Sequence, residues 1–592
     1  MRFKSFIICL LCLVIAAGLL FWGSLRLDKI NAQRSEMKLV MNEPLENAPP
    51  SLAFATVALG AFRGLIVDIL WIRADQLKEE GKFFDAKQLA EWITLLQPRF
   101  AAVWDFQAWN MAYNISVAIP ASRPQERWQW VRNGYELLRD RGIEKNPHSI
   151  ALYRSLAWIF QHKIGDMLDD DHTYYKLQLY RAMQPLIGPQ TQEYYEALAN
   201  APEKLEDMLA KPDVAKFLNE LASADSSFAK HAQLVDNYLS LRQQPQRFSQ
   251  QAFAVIDNYR GTKTLEEFDT FAKAYYLRHT WKLEPRLMVQ LNEKYGPVDY
   301  KDPNKVIPLD WKHADAHAIY WAALGLQKAS REEHSLDELN TDRIVFHSIQ
   351  NLYRRGKMIV YTSRVPAEND PCNIIERESL FLFPDLRMFD RYDQALMALK
   401  QKYAQIEGDL GSLQTAHKNM LMRAVLLFYQ AGHTDKALEI YNTLRKEYPQ
   451  QKEVQVPLID YVRNRLVNEL ASLGLSDARE IITLMLQEAY YHYTVHDDDE
   501  AFGREKMARE VYDHYQKEYE GKENTDRATL PDFEVLRYIG ITGFLNDARY
   551  PDFIRRSLVD RIRIERPQLY EKMKQQQEYF MQEMEKQEST QQ

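Results

Sequence analysis

His313 and His317 stand four residues apart in HADAHAIYWAALGL (313–326), a spacing that turns two imidazoles to one side of a helix and suits a metal. Asp315 falls on another side, and no HExxH-type glutamate accompanies them. The reading taken is a capping or solvated role. Asp169-Asp170-Asp171-His172 and His496-Asp497-Asp498-Asp499-Glu500 are acidic clusters. A calcium loop needs alternating ligands around a central glycine. These acids are consecutive and stand at expected helix starts, where acids complement the helix dipole and cap free amides. Gly261-Thr262-Lys263-Thr264 has the ending of a phosphate loop without the upstream glycine or a preceding strand. No Gly-x-Ser-x-Gly occurs. Of three cysteines, Cys9 and Cys12 lie in an apolar N-terminal run and Cys372 in a Pro-flanked loop, which leaves no disulfide framework and no cysteine zinc site. No catalytic, cofactor or metal residue is named, and the chain reads as not an enzyme.

The aromatic residues point to binding instead. Trp71, Trp92, Trp104, Trp109, Trp128, Trp130 and Trp158 crowd the first 160 residues. At helical spacing most aromatics belong to a core. Those left outside are the residues that binding surfaces favour, together with Arg.

The elements that must position them are helices. A chain of 592 residues is too long for one core, and its 21 glycines are few. Abundant Leu, Ala, Glu, Lys and Gln favour helix over sheet. Two stretches about 350 residues apart carry one spaced set: Gly81, Ala86, Leu96, Pro98 and Gly432, Ala437, Tyr441, Leu444, Pro449. In both, glycine precedes alanine by five and proline by seventeen. The glycine permits a tight turn, the alanine a close helix crossing, and the proline ends the second helix. This set resembles the second half of a tetratricopeptide repeat, and 103–180 and 311–328 resemble the family more loosely. More broadly, the N-terminal half is similar to membrane-anchored bacterial tetratricopeptide proteins of no established activity. The resemblance implies an all-α, irregular helical-repeat solenoid whose units bury their apolar stripes against neighbours. Counting from the repeat template, it places Asp105, Trp109, Arg154, Trp158, His162, Arg423 and Tyr429 on the inner groove, as residues that bind a protein partner.

The N-terminus suggests a membrane. Phe6–Trp22 is uncharged over seventeen residues, eleven of them Leu, Ile, Val or Phe. Their summed insertion energy is roughly −3 to −7 kcal/mol. No small-residue cleavage site closes the run, so an uncleaved transmembrane anchor is expected rather than a signal peptide. Leu52–Ile72 has a similar apolar count, but Arg63 and Asp68 near its middle cancel the gain, so a buried or membrane-surface helix is expected there. The expected organisation is an anchor (1–26), a tether (27–51), N-terminal repeats (52–184), a helical middle (185–310), C-terminal repeats (311–520), and a helical cap with a charged tail (521–592). A formal net charge of −8 with both signs interspersed argues against nucleic acid. Two functions remain: a scaffold docking a protein partner, single-pass in the bacterial inner membrane with its bulk outside the cytoplasm, or an enzyme of envelope polymer metabolism or export using the repeats as a platform.

Overall fold

The computed structural model describes Gly18 and residues 63–591, except 242, 300–301, 330–335, 368–369, 404–409, 471–474, 520–529 and 548–549. Among the described residues the protein is mostly helical. It forms two compact units, one ending at Val103 and the other running Trp104–Gln592. The expected anchor lies outside the described residues, Gly18 apart. Among the described residues no helix is long and apolar enough to cross a membrane.

In the first unit, Arg63–Glu79 and Phe83–Leu96 form a helical hairpin. Gly81 makes the turn at φ +74°, a conformation that costs glycine nothing. Ala86, Ala90, Ile93 and Leu96 are buried. The first helix, which completes the Leu52–Ile72 stretch, buries Val67, Ala74 and Leu77 on one side. On the other it exposes Leu65, Ile69 and Ile72, each by more than half.

Ala101–Trp109, which enters the second unit at Trp104, and Pro124–Leu137 and Ile150–Trp158 within it each run directly into a π-helical turn: Asn110–Ile115, Leu138–Gly142 and Ile159–Ile164. Lys263–Tyr276 does the same through Leu277–Trp281. The centre is Ala314–Lys328, which buries eleven residues around its circumference, as a helix that is apolar on all sides must. Ile150–Trp158 and Leu336–Arg355 pack against it. Gly325 allows the first of these contacts, since a Cβ there would lie 2.5 Å from the Cβ of Tyr153. The middle region has its own core, built on Phe217, Phe228, Tyr238, Phe248, Phe268 and Phe271.

Toward the C-terminus, Leu410–Gln430 and Thr434–Glu447 form a second glycine-turned hairpin, with Gly432 at φ +81° and Ala437, Ile440, Tyr441 and Leu444 buried. The helix Asp498–Tyr519 seats Gly503 on its turn. A Cβ at Gly503 would come within 2.0 Å of the Gln430 carbonyl. The charged tail is the helix Pro567–Gln591. Its Gln, Glu, Lys and Met are strong helix formers that need no apolar face.

The strands among the described residues form two antiparallel ribbons. Val298–Asp299 pairs with Asp302–Val306, and Lys357–Ala367 with Asp370–Phe383. The second corrects the expectation of a loop around Cys372. KMIVYTSRV and NIIERESLFLF are rich in β-branched and aromatic residues, which favour strand. Pro366 is tolerated because a two-stranded ribbon has only edges.

Candidate docking face

The π turns decide which side chains meet. An i→i+5 turn inserts one extra residue into a helix and re-aims the side chains beyond it. Where Ala101–Trp109 passes into its π turn, Trp109 stacks on Tyr113 with ring centroids 4.1 Å apart and planes at 18°. Where Ile150–Trp158 does so, Trp158 stacks on His162 at 4.7 Å and 12°. Tyr113 and His162 join the two stacks at 5.9 Å, with the Tyr113 hydroxyl 3.4 Å from His162 Nδ1. Four rings thus form one ladder, Trp109–Tyr113–His162–Trp158. Trp109 is 45% exposed and the other three are half-buried. Burial pushes the His162 imidazole below its ordinary range, favouring the neutral ring in the stack. Beside the ladder, burial pushes the Asp105 carboxyl up, opposed by the Ser155 hydroxyl and the Arg154 charge. Arg154 also pairs with Asp337.

Directly after the second π turn comes the loop Gly165–Asp171. Gly165 cannot carry a side chain, because a Cβ would lie 2.7 Å from the Gln161 carbonyl. Gln161 Nε2 donates to Ile344 O at 2.8 Å and to Ser348 Oγ at 2.7 Å, tying the π turn to Leu336–Arg355. The loop is clamped by charge at both ends. Asp166 Oδ1 accepts from both Nη atoms of Arg355 at 3.2 Å, and its carbonyl accepts from Lys176 Nζ at 2.6 Å. Asp169 takes Lys163 at 2.5 Å and Arg127 at 3.2 Å, and Asp171 takes Arg127 at 3.0 Å. The side chains of Arg127, Lys163 and Asp169 are at most 7% exposed. Burial raises the Asp169 pKa, but the Lys163 bond and the Arg127 charge outweigh it and hold the carboxyl below its ordinary value. Lys163 Nζ also lies 5.3 Å from the Tyr113 ring centroid, which couples clamp and ladder. Between the clamped ends the loop exposes Met167 by 62% and Leu168 by 74%.

Under the loop is a closed polar layer. His313 Nδ1 accepts the Asp315 backbone N–H at 3.2 Å and Nε2 faces the Arg355 carbonyl at 3.3 Å, so this residue is a buried cap of Ala314–Lys328. His317 sits in the core, stacked on Phe160, with Nε2 2.9 Å from Trp311 O. Asn351 donates to Asp315 Oδ1 at 3.0 Å. Burial pushes His313 down to about 3, His317 down to about 4 and the Asp315 carboxyl up to about 7. Burial and then the Arg355 charge push Lys176 down to about 7. Among the described residues no group of three or more His, Cys, Asp or Glu is placed to hold a metal.

The fold therefore brings Asp105, Trp109, Arg154, Trp158 and His162 to one neighbourhood. Arg423 and Tyr429 lie elsewhere, on Leu410–Gln430. Tyr429 is buried, its hydroxyl 3.3 Å from Glu510 and its ring under Lys506, while Arg423 is exposed. Sequence reasoning misses Tyr113, Lys163 and the Met167–Leu168 tip. The acidic run at 169–171 is the signal available for the clamp, but consecutive acids before a helix read as caps. Asp171 does stand at the start of His172–Met183, yet its side chain makes no cap bond and turns to Arg127 instead. At the other cluster, Asp497 takes Lys357 at 3.0 Å and Asp498 takes Arg561 at 2.9 Å. Burial raises the Asp497 pKa, but the His492 bond and Lys357 outweigh it and hold the carboxyl down to about 2. No protein-family model matches the chain, and no curated protein matches it in sequence.

Proposed function

We propose that this protein is a tetratricopeptide-like helical-repeat scaffold that docks a protein partner on the aromatic ladder and the Met167–Leu168 loop. The observation that carries the reading is the loop itself. Two adjacent apolar side chains are held in water between a buried ion-pair cluster, Arg127, Lys163 and Asp169, and the partly exposed Asp166–Arg355 pair, beside a half-exposed ring stack. Buried pairs of this kind are weak sources of net stability and are better explained as fixing a geometry. Apolar and aromatic anchors on a rigid frame are what binding hot spots require.

The scaffold is held to the bacterial inner membrane by its N-terminal segment, with its bulk outside the cytoplasm. The apolar run Phe6–Trp22 supports this, as does the exposed Leu65, Ile69 and Ile72 stripe, a face suited to a bilayer surface. An enzyme would need titratable groups converging on an open cleft. The strongly shifted groups under the loop, Lys176, His313 and Asp315, are at most 3% exposed and are bonded to one another's neighbours and to backbone.

Photo-crosslinking residues placed at Trp109 and Leu168 in membranes should each give a discrete protein adduct, and one at exposed Leu438 should not. Equal labelling from all three positions would remove the docking face. Deleting residues 1–26 should release the protein from membranes. Retention as an integral protein would overturn the single anchor.

A further inference from the structure

A second site lies away from the docking face. Pro285–Tyr295, Leu336–Arg355 and Phe389–Tyr403 border a cleft of about 350 Å³. Val345, Phe346, Ala395, Ala398 and Leu399 give it apolar walls. Volume and lining match small-molecule sites, which are mostly apolar with a few placed polar groups.

Charge divides the cleft into two unlike ends. At one end stand Lys294, with Nζ 4.9 Å from the Tyr295 ring centroid, and Arg391. Arg391 donates from Nε to Gly296 O at 3.1 Å, from Nη2 to Glu293 O at 2.9 Å and from Nη1 to Gln394 Oε1 at 3.1 Å. These neutral acceptors fix the guanidinium and leave two of its five N–H donors. Among the described residues neither Lys294 nor Arg391 forms an ion pair. Asp390, next to Arg391 in sequence, is taken by Lys436 at 3.1 Å. At the other end Lys402 is already matched, with Glu338 at 2.7 Å and Asp342 at 2.6 Å.

We propose that this cleft binds a small anionic amphiphile, an alkyl or aryl carboxylate. Its apolar body lies along Phe346 and Leu399 and its carboxylate meets Arg391 and Lys294. A planar guanidinium held by its other donors is well suited to a carboxylate. The end around Lys402 sets one ammonium against two carboxylates, a net negative charge that repels an anion, so the ligand enters with a single orientation.

The test is calorimetric titration of the full chain with 4-phenylbutyrate and, separately, with 4-phenylbutylamine, which has the same apolar body and the opposite charge. One carboxylate should bind per chain, with the amine at least about tenfold weaker. Arg391→Gln and Lys294→Gln should each weaken the carboxylate by about fivefold or more and leave the amine unchanged. Lys294 is exposed, so its variant keeps the test open if loss of the Arg391 bonds disturbs the fold. Ala398→Trp, at an exposed position on the lining, should abolish binding with the melting temperature unchanged. The proposal is overturned if neither probe binds at millimolar concentration, if the amine binds as well as the acid, or if Ala398→Trp binds like wild type.

Discussion

The hairpin at Leu410–Glu447 and the helices at Ala101–Ile164 solve one packing problem in different ways. Both need helices to approach closely. In the first, Ala437 fills the crossing, Gly432 turns the chain with a positive φ, and Gly503 of a later helix rests on that turn. Every helix ends as an ordinary α-helix. In the second, Gly134 presses on Ala108 and Ala112, where a Cβ would meet the Ala108 carbonyl at 2.9 Å, and three successive helices end in π turns. The first device leaves a regular surface. The second displaces the end of each helix by a residue, and this is the region that presents a ring ladder and an apolar loop. The proposed docking face lies on the irregular helices and not on the regular hairpin.

Four substitutions would break or sharpen that comparison. The largest effect is expected at Asp169. Asp169→Ala leaves Lys163 buried without its carboxylate and Arg127 with Asp171 alone, and should cost about 3–5 kcal/mol in chemical denaturation. Asp170→Ala, one residue on and 83% exposed, should cost under about 0.5 kcal/mol. The Asp169 pKa is depressed by folding, so its contribution is present above the unfolded carboxylate value and lost as pH falls through the folded one. That acid sensitivity should be reduced in Asp169→Ala. Equal effects at 169 and 170 would mean that the loop is not clamped.

Asp315 has the opposite sign. Its folded pKa is raised to about 7, so its contribution is complete below the unfolded value and is lost as pH rises through the folded one. Asp315→Asn should match wild type near pH 4 and be more stable by about 2 kcal/mol at pH 8. A pH-independent difference would dismiss the buried carboxyl as a titrating group.

In the regular hairpin, Ala437→Leu should cost about 1–3 kcal/mol by overpacking the crossing. Gln450→Leu, exposed just beyond Pro449, should be nearly silent. Hydrogen exchange should quicken across 410–519 and stay unchanged across 104–183, since a stacked array passes strain to neighbours. Identical melts for the two variants would undo the assigned crossing.

The smallest stability effect is expected at Trp109. Trp109→Ala removes one half-exposed ring stack, about 0.5–1.5 kcal/mol. Crosslinking from position 168 to a partner should nevertheless fall sharply. A full-strength adduct would confine docking to the loop.

Much of the regular hairpins is legible in the sequence because single residues carry unambiguous demands. Gly81 and Gly432 do adopt positive φ, and Ala86 and Ala437 are fully buried. The π turns are not legible, since nothing in Asn-Met-Ala-Tyr-Asn-Ile distinguishes an i→i+5 turn from an ordinary α turn. Counting from the repeat template names Trp109, Trp158 and His162, which the structure places in one ring stack. It misses Lys163, whose ammonium is buried by partners distant in sequence at Arg127 and Asp169. It puts Arg423 and Tyr429 in the same groove because a regular repeat would place them there, and the intervening β ribbon and middle region break that regularity.

The clamp also bears on how the docking face responds to its medium. Dissolved ions screen charges that face water and reach buried pairs poorly. Arg127, Lys163 and Asp169 are sheltered from them, and the loop offers outward the Met167 thioether and the Leu168 methyls beside the exposed Asp170 carboxylate. Raising the salt concentration should therefore leave the Asp169 end of the loop in place and should little weaken a grip made through Met167 and Leu168, which an excluded salt such as sulfate should strengthen. The face should hold its partner across changes in ionic strength that would release a contact made by exposed charges.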